Sequence, residues 1–316
     1  MKLPSTLPRP FRDAGLVVSW IADLTGQPEA SVRARLRVEF DRPGSSVATA
    51  LRDAGLSPHT WNDDLIRFYG ETDAFLYELV IWNRNRLKRR MRGWIGRHLA
   101  GAFDGPADVL SVGDGIGFDS AYLAMAGHRV TYFEVAGHAE AFARRVFAVC
   151  DVHVTTLTQQ TDIPEGAYDV VVCLDVLEHV PDPPAMVEAL VGYLRPGGRL
   201  IVHAPFYMIH PSNATHLKSN RRYSGDLSLY ERRGLALVDG EPTWTPLVLV
   251  KRGAGAHVPR GLDAKRAALR AAGWYLRLGR YSAVPFGWVD AYRRRKGCWF
   301  DSTAAPAPGR TAPAPM

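Results

Sequence analysis

The feature that most constrains the fold is a short apolar run that ends in glycines at alternate positions. It reads Val109-Leu110-Ser111-Val112-Gly113-Asp114-Gly115-Ile116-Gly117-Phe118-Asp119, and apolar residues at helical spacing follow it. A strand, a glycine turn and a helix in succession open a nucleotide-binding α/β unit. The glycines accept left-handed or crowded backbone, so a ligand can approach the main chain closely. The turn alone also fits a merely tight connection, and the later segments decide between these two interpretations.

Three later segments each place a buried strand beside a polar turn. Arg129 to Glu134 ends in a carboxylate about 20 residues beyond Gly113, where an acid can accept both hydroxyl protons of a ribose. The other interpretation of Glu134 is a solvated loop acid. Residues 168–180 run from a strand into an acidic turn, and residues 194–205 run from a Pro-Gly-Gly turn into a strand. Strands and helices that alternate at these lengths predict a mostly parallel sheet with helices on both faces.

In this order and spacing the four segments resemble the class I S-adenosylmethionine-dependent methyltransferases. Within that class they are most similar to the ubiquinone-biosynthesis O-methyltransferase-like group. The resemblance covers roughly residues 105–250 and implies a doubly wound α/β fold, a seven-stranded Rossmann-like sheet that closes with an antiparallel hairpin. A dinucleotide-binding dehydrogenase more often has a further glycine where this chain has Phe118.

The resemblance implies a role for most residues of a cofactor site that takes S-adenosylmethionine. The glycine turn would pass beneath the methionine part of the cofactor. Glu134 would bind the ribose hydroxyls, and Val135 would border the adenine. The cofactor residues of the turn itself are Gly113, Gly115 and Gly117.

Some positions depart from the family pattern or leave alternatives open. Ser111 stands where many relatives have an acid, and Asp114 inside the turn could compensate for the weaker hydroxyl. Gln159 occupies the place of an acid that binds the adenine amino group, and its amide oxygen could accept the same hydrogen bond. Asp162 is the nearby carboxylate alternative. Asp175, at the end of the fourth strand, would face the methionine part or the acceptor.

The group Asp175-Val176-Leu177-Glu178-His179 is the most informative local cluster. Its acids and its histidine lie on one face if the turn is helical. In the ubiquinone-type and small-RNA-end methyltransferases, a similar group joins a later histidine to bind a divalent metal. Here the resemblance implies Glu178, His179 and His216 as ligands of Mg²⁺ or Zn²⁺. Without a metal, His179 is the general-base candidate, and Asp175 is the second catalytic candidate.

The chain divides into four parts. Residues 1–103 form a predicted helical substrate or lid domain, with a local break near Asn83 and Asn85, and residues 104–252 form the methyltransferase core. Residues 253–300 are a basic, aromatic extension that could pack across the core as a lid, mediate a homodimer or rest on a membrane interface. Residues 301–316 have the Ala/Pro/Gly composition of a disordered tail.

The net charge of +7 is concentrated in two stretches. Residues 79–103 carry seven basic side chains and no acid, and residues 251–296 carry twelve basic side chains and two acids. Such stretches meet an anionic partner or form a solvated face. They lack an aromatic-studded RNA-binding motif, which argues against nucleic acid. Three scattered cysteines and the absence of a signal-type apolar core predict a cytoplasmic protein.

The sequence therefore predicts a methyltransferase that acts on an oxygen or nitrogen of a small molecule. Two alternatives remain. The first is an RNA-end or peptide methyltransferase, which the regional basicity suggests. The second is a non-catalytic partner protein that keeps the cofactor, against which the intact glycines and Glu134 argue. Arg221 and Arg222 could grip a carboxylate or phosphate of the acceptor.

Overall fold

The computed structural model describes residues 3–6, residue 10, residues 13–253 and residues 263–279. The predicted tail at 301–316 lies outside the described residues. So do residues 254–262 and 280–300 of the basic extension. None of the described helices combines the length and apolar composition that a membrane span requires.

Helices fill the described part of the chain before the first strand. Their bounds are α1 Ala14–Thr25, α2 Glu29–Asp41, α3 Ser45–Asp53, α4 Asp64–Glu71, α5 Ala74–Arg84 and α6 Arg86–Ala102. The predicted break in the long helical run is confirmed at Asn85, whose backbone is extended and whose side chain accepts a hydrogen bond from the Leu87 N–H. Before the fourth helix, the His59 N–H donates to the Ala214 carbonyl at 2.7 Å, and this hydrogen bond ties the segment to a distant loop.

In the described part of the chain, seven strands form one mixed sheet in the order β3-β2-β1-β4-β5-β7-β6. Their bounds are β1 Asp108–Val112, β2 Arg129–Phe133, β3 Val154–Leu157, β4 Tyr168–Leu174, β5 Leu194–His203, β6 Leu235–Gly240 and β7 Leu247–Lys251. The first five strands pair in parallel, and β7 pairs antiparallel with both β5 and β6. The helices between and after them are α7 Phe118–Met125, α8 His138–Cys150, α9 Pro183–Tyr193, α10 Ser228–Glu231 and α11 Asp263–Gly279. This arrangement confirms the predicted fold class.

Successive strand residues bury opposite faces of the sheet, as period-two alternation requires. Leu110 joins a cluster that contains α9 and the buried Leu269 of α11, whereas its neighbour Val109 joins a cluster with α6 and α7. The N-terminal helices pack against this core. A third cluster unites α1, α2 and α5 with Phe118 of α7 and Phe142 of α8.

Candidate active site

A cavity of about 390 Å³ lies at the carboxyl ends of the parallel strands. Residues that follow four of these strands line it, namely Gly113 after β1, Glu134 after β2, Asp175 after β4 and Pro205 after β5. Helices α4 and α5 supply much of the opposite wall. Open α/β sheets bind ligands at this edge, so the cavity is the candidate active site.

The backbone of the glycine turn is left-handed, with φ of 69° at Gly113, 61° at Gly115 and 77° at Gly117. The first two glycines line the cavity. A Cβ at Gly115 would lie only 2.6 Å from Leu79 Cδ1. Gly117 has a different surrounding, because a Cβ there would lie 2.7 Å from Ala143 Cβ. This third glycine lets α7 pack closely on α8 instead of facing the cavity.

The Glu134 carboxylate is bonded to the glycine turn. Its Oε2 accepts a hydrogen bond from the Gly115 N–H at 2.7 Å, and its Oε1 accepts one from the Val135 N–H at 3.1 Å. Burial raises the pKa of Glu134 to about 7, although these two N–H groups oppose the rise. Glu134 and Val135 both line the cavity. A carboxylate has about four acceptor sites, so Glu134 keeps capacity for two hydroxyls.

Three other predicted cofactor residues do not line the cavity. Ser111 is buried within β1. The Asp114 carboxylate accepts hydrogen bonds from the N–H groups of Asp119 and Ser120, at 3.2 and 2.7 Å, and so caps the start of α7. Burial and the nearby Asp119 raise the pKa of Asp114 to about 7. Gln159 is exposed just before a short 3₁₀ helix.

Asp175 follows β4 in a left-handed conformation with φ of 60°, which is uncommon for a residue other than glycine. Its Oδ2 accepts hydrogen bonds from Trp82 Nε1 at 3.0 Å and from Lys88 Nζ at 3.2 Å. Its Oδ1 lies 3.5 Å from His203 Nε2. Burial alone would raise the pKa of Asp175, but Lys88 and His203 outweigh burial and lower it. The carboxylate is therefore ionised and fixed on the cavity wall.

Lys88 belongs to a buried ion-pair network below the cavity. Its Nζ lies 3.0 Å from Asp119 Oδ2, and Arg92 Nε donates to Asp119 Oδ1 at 2.6 Å. Burial alone would raise the pKa of Asp119, but the two cations lower it to about 2. Arg92 also donates to the Thr6 carbonyl and to the Asn83 side chain. Two of the basic side chains of α6 are therefore buried and paired with carboxylates, and they add no charge to the protein surface.

Glu178, His179 and His216 come together as the resemblance implied. Glu178 Oε1 lies 3.9 Å from Nε2 of each histidine, and one ligand atom from each residue falls within 4.8 Å of the others. Both Glu178 carboxylate oxygens are buried and have no hydrogen-bond partner in the described part of the chain. Burial, helped by the charge of Asp175, raises the pKa of Glu178 well above its usual range. A buried carboxylate without hydrogen-bond donors is stable only when it is protonated or paired with a cation.

Tyr69 of α4 contacts this cluster from the helical side. Its hydroxyl lies 3.1 Å from His179 Nδ1, and its ring stacks on Phe75. When one ring nitrogen of a histidine is engaged in a hydrogen bond, the other nitrogen is left for a different partner. In His179 the remaining nitrogen is Nε2, which faces Glu178. Burial lowers the pKa of His179 to about 4, against the opposing effect of Asp175. The imidazole is therefore neutral at neutral pH.

The remaining cavity wall is largely aromatic and aliphatic. Its large apolar members are Phe40, Trp61, Ile66, Tyr69, Phe75, Leu76, Leu79, Ile81, Trp82, Leu87, Tyr207 and Met208. Acids and histidines supply most of the polar groups. Among the described residues that line the cavity there is no lysine or arginine, and Arg221 and Arg222 lie outside it. The wall therefore suits an apolar ring better than an anion.

Sequence reasoning missed Trp82 and Lys88 as site residues. Trp82 has the apolar character of a packing residue, and only the approach of α5 to the sheet edge gives it a partner there. Lys88 and Arg92 are four residues apart and so share a helix face, which is the one signal that they form a common network. Their acidic partners are far away in the sequence.

Residues 82–238 match a family model described as a methyltransferase domain. Ubiquinone biosynthesis O-methyltransferase of Erwinia tasmaniensis is 35% identical over 111 residues, which cover 34% of this chain and 45% of that protein. The protein of the same name from Idiomarina loihiensis is 37% identical over 116 residues, with coverage of 34% and 45%. The matched part of the chain thus spans less than half the length of these curated relatives.

Among solved structures, the chain is similar to magnesium protoporphyrin IX methyltransferase from Synechocystis PCC 6803 with bound S-adenosylmethionine. The identity is 20%, the TM-score is 0.43, and the match covers 69% of this chain and 97% of that one. A second similar structure is 1,6-didemethyltoxoflavin-N1-methyltransferase from Burkholderia thailandensis, with 18% identity, a TM-score of 0.43 and coverage of 66% and 91%.

Proposed function

Residues 82–238 of this chain form a methyltransferase domain, and on that premise we propose that the protein transfers a methyl group from S-adenosylmethionine to a small molecule. The acceptor atom is a hydroxyl oxygen or an amine nitrogen on an uncharged aromatic ring. One observation carries the proposal. The same cavity is lined by the glycine turn, by Glu134 and by the histidines beside Glu178.

The residues present fit the adenosyl part of the cofactor. The left-handed glycines 113 and 115 leave backbone open to the cavity, where a side chain would collide with Val176 or Leu79. Glu134 is already oriented by two N–H groups and keeps acceptor sites for the two ribose hydroxyls. Val135 offers an exposed apolar side chain beside it for the adenine ring. The adenine-amino role of Gln159 has less support, because that side chain is exposed outside the cavity.

The character of the wall decides between the classes of acceptor. Aromatic side chains of α4 and α5 offer faces and edges on which a ring can stack. An anionic acceptor would lose its hydration without gaining a lysine or arginine as its partner, since neither lines the cavity among the described residues. This disfavours an RNA end, whose phosphates need such partners.

The buried donor set of Glu178, His179 and His216 fits a divalent cation, because both Glu178 oxygens have no hydrogen-bond partner in the described part of the chain. A carboxylate with two imidazoles suits Zn²⁺ better than Mg²⁺, which prefers oxygen ligands. A bound cation would polarise the acceptor hydroxyl and lower its pKa. Two ligands of one ion lie at most about 4.2 Å apart when each bond is about 2.1 Å. The Glu178–histidine separations of 3.9 Å are within that limit.

The chain's own residues supply orientation. The aromatic wall holds the acceptor ring, and Tyr69 holds His179 through its Nδ1. Reactants fixed in line avoid the entropy of encounter, which contributes much of the acceleration in such transfers. If no cation binds, His179 Nε2 is the atom that accepts the acceptor's proton. Treatment with a chelator distinguishes polarisation of the acceptor by a cation from proton acceptance by His179.

The test is incubation of the pure protein with methyl-labelled S-adenosylmethionine and a panel of acceptors. We expect label in neutral phenols, catechols or aromatic amines, and much less in the corresponding carboxylated compounds. Activity lost with a chelator and restored by Zn²⁺ or Mg²⁺ would support the cation, and Glu178→Gln should then be inactive with either ion. Label found only in RNA ends or peptides would overturn the acceptor class. Tight cofactor binding without turnover across the panel would indicate a non-catalytic partner protein.

A further inference from the structure

We infer that His59, in the connection between α3 and α4 (residues 54–63), is a positioning residue that holds His216 in place as a ligand of the candidate cation site. The inference rests on the proposed function, because it concerns the cation of the same cavity. His59 is not among the described residues that line the cavity, and it acts through the backbone of the loop that carries His216. The N-terminal helices thereby help to build a site whose candidate ligands all belong to the α/β core.

The loop that carries His216 has little regular structure to fix the imidazole. It runs between two short 3₁₀ helices, Pro211–Asn213 and Lys218–Tyr223. The imidazole is buried, and its Nε2 lies 3.9 Å from Glu178 Oε1 and 3.4 Å from the side-chain amide of Asn213. Contacts with other parts of the chain therefore set where this ring lies.

The α/β core holds the His216 loop from one side. The Leu217 N–H donates a hydrogen bond to the Glu178 carbonyl at 2.9 Å, which links the loop to a second candidate ligand. The buried Asn220 side chain donates to the Val180 carbonyl at 2.8 Å. Both bonds lie on the C-terminal side of His216, so they fix one end of the loop.

His59 holds the same loop from the side of the N-terminal helices by three hydrogen bonds. Its N–H donates to the Ala214 carbonyl at 2.7 Å, and its carbonyl accepts from the Lys218 N–H at 2.9 Å. Its side-chain Nδ1 lies 2.9 Å from the carbonyl oxygen of His216 itself. A carbonyl oxygen only accepts, so Nδ1 carries the proton of this bond. The three bonds reach the loop before, at and after His216, and they fix the backbone of the candidate ligand.

The backbone of His59 is left-handed, with φ of 62°. This conformation is uncommon for a residue other than glycine, and it persists only where the surroundings determine it. Here the two backbone hydrogen bonds to the His216 loop determine it. Strained residues cluster at functional sites, and this one is bonded to the backbone of a candidate ligand. The strain therefore supports a role for His59 in building the site.

Two further contacts bring the N-terminal helices to the same site. A Cβ on Gly44 would collide with the Ser212 carbonyl oxygen, so the turn before α3 packs directly on the start of the His216 loop. Tyr69 of α4 engages Nδ1 of His179, the other candidate imidazole ligand. Groups that contact a metal ligand from behind orient it and tune the affinity for the ion. Both histidines of the site are therefore oriented from the N-terminal helices.

The test is titration of the full chain with Co²⁺, whose absorption spectrum reports the ligands around the ion, followed by displacement with Zn²⁺. Glu178→Gln should abolish the binding and so identifies the site. His59→Ala should weaken binding of both ions by on the order of 10- to 100-fold, the usual cost of removing a group that orients a metal ligand. The affinity for S-adenosylhomocysteine, measured by isothermal titration, should stay unchanged in His59→Ala, because Glu134 is bonded to the glycine turn without this loop.

Two other substitutions at His59 separate its side chain from its backbone. His59→Asn keeps a side-chain N–H donor and tolerates left-handed backbone, so most of the affinity for the ion should return. His59→Gly relieves the strain and keeps both backbone bonds but lacks the donor, so it should bind Co²⁺ as weakly as His59→Ala. His153→Ala is the matched control, because it removes an exposed histidine immediately before β3 and should bind Co²⁺ like the unmodified protein. Thermal unfolding identifies any variant that fails to fold, and the remaining His59 variants then carry the test.

Four outcomes would overturn the inference. Unchanged Co²⁺ affinity in both His59→Ala and His59→Gly would show that His216 is held without His59, with the proposed function intact. Unchanged affinity in His59→Gly alone would assign the effect to backbone strain and not to the bond from Nδ1. A parallel loss of S-adenosylhomocysteine affinity in His59→Ala would show a general change in the cavity. Failure of the unmodified protein to bind either ion would remove the cation and this inference with it, whereas label transferred from S-adenosylmethionine would still support the methyltransferase.

Discussion

Lowering the pH should weaken cofactor binding through protonation of Glu134. Burial raises the pKa of this carboxyl in the ligand-free protein to about 7. In the proposed cofactor site, two ribose hydroxyls donate best to the ionised carboxylate, so binding favours the ionised form and lowers the pKa of Glu134 below that value. Cofactor binding is therefore strongest well above pH 7 and weakens as the pH falls through that value. Between about pH 8 and about pH 5.5 the ionised fraction falls from roughly nine-tenths to roughly 3%, and the dissociation constant should rise roughly 30-fold.

The assay is isothermal titration with S-adenosylhomocysteine across this pH range, together with the variant Glu134→Gln. The amide keeps an oxygen acceptor but does not ionise, so its affinity should be weaker at pH 8 and nearly independent of pH. Asp114 is a second group that could cause the same pH dependence, because burial and Asp119 raise its pKa to about 7 as well. A full pH dependence retained in Glu134→Gln would assign the effect to Asp114 and refute the reasoning. A wild-type affinity that is flat across the range would refute it equally.

Other expected results concern the turn, the ion-pair network and the core. Gly113→Ala should weaken S-adenosylhomocysteine binding at least tenfold in the same titration, because the new Cβ collides with a valine and the φ of 69° is strained for alanine. Arg92→Met should lower the free energy of unfolding by about 3 kcal/mol or more in a denaturant titration, because it leaves Asp119 buried with one cation fewer. Leu200→Ala, at a fully buried site in β5, should cost about 2–5 kcal/mol in the same measurement while cofactor affinity is retained. An unfolding energy within about 0.5 kcal/mol of wild type would contradict either stability estimate.

Local patterns in the sequence determined the architecture. Apolar runs of strand length alternate with helical spacing from Val109 to Lys251, and this order admits few sheets other than the one observed. The same local logic placed Glu134 after β2 and Asp175 after β4, since the carboxyl ends of parallel strands share one edge. The spacing of Glu178 and His179 likewise set two of the three donors side by side.

Contacts between residues distant in the sequence were decided only by the tertiary structure. Ser111 and Asp114 were both candidate cofactor residues from the sequence, but the fold turns Asp114 to the start of α7 and buries Ser111 in the sheet. His179 has an ordinary imidazole pKa in an isolated peptide, whereas burial lowers it to about 4. Neither effect can be read from the neighbouring sequence, because the burial of a group depends on which distant residues pack against it.

The N-terminal helices show the same limit most clearly. Their periodicity predicts where α1 to α6 lie, yet it does not say that Trp82 and Lys88 reach Asp175 across some ninety residues of chain. An amphipathic pattern specifies that a face is buried and does not specify its partner. The sequence by itself determined the sheet and the edge where a ligand binds. The packing of the helices over that edge determined which side chains surround the ligand, because only the folded chain brings them within hydrogen-bonding distance.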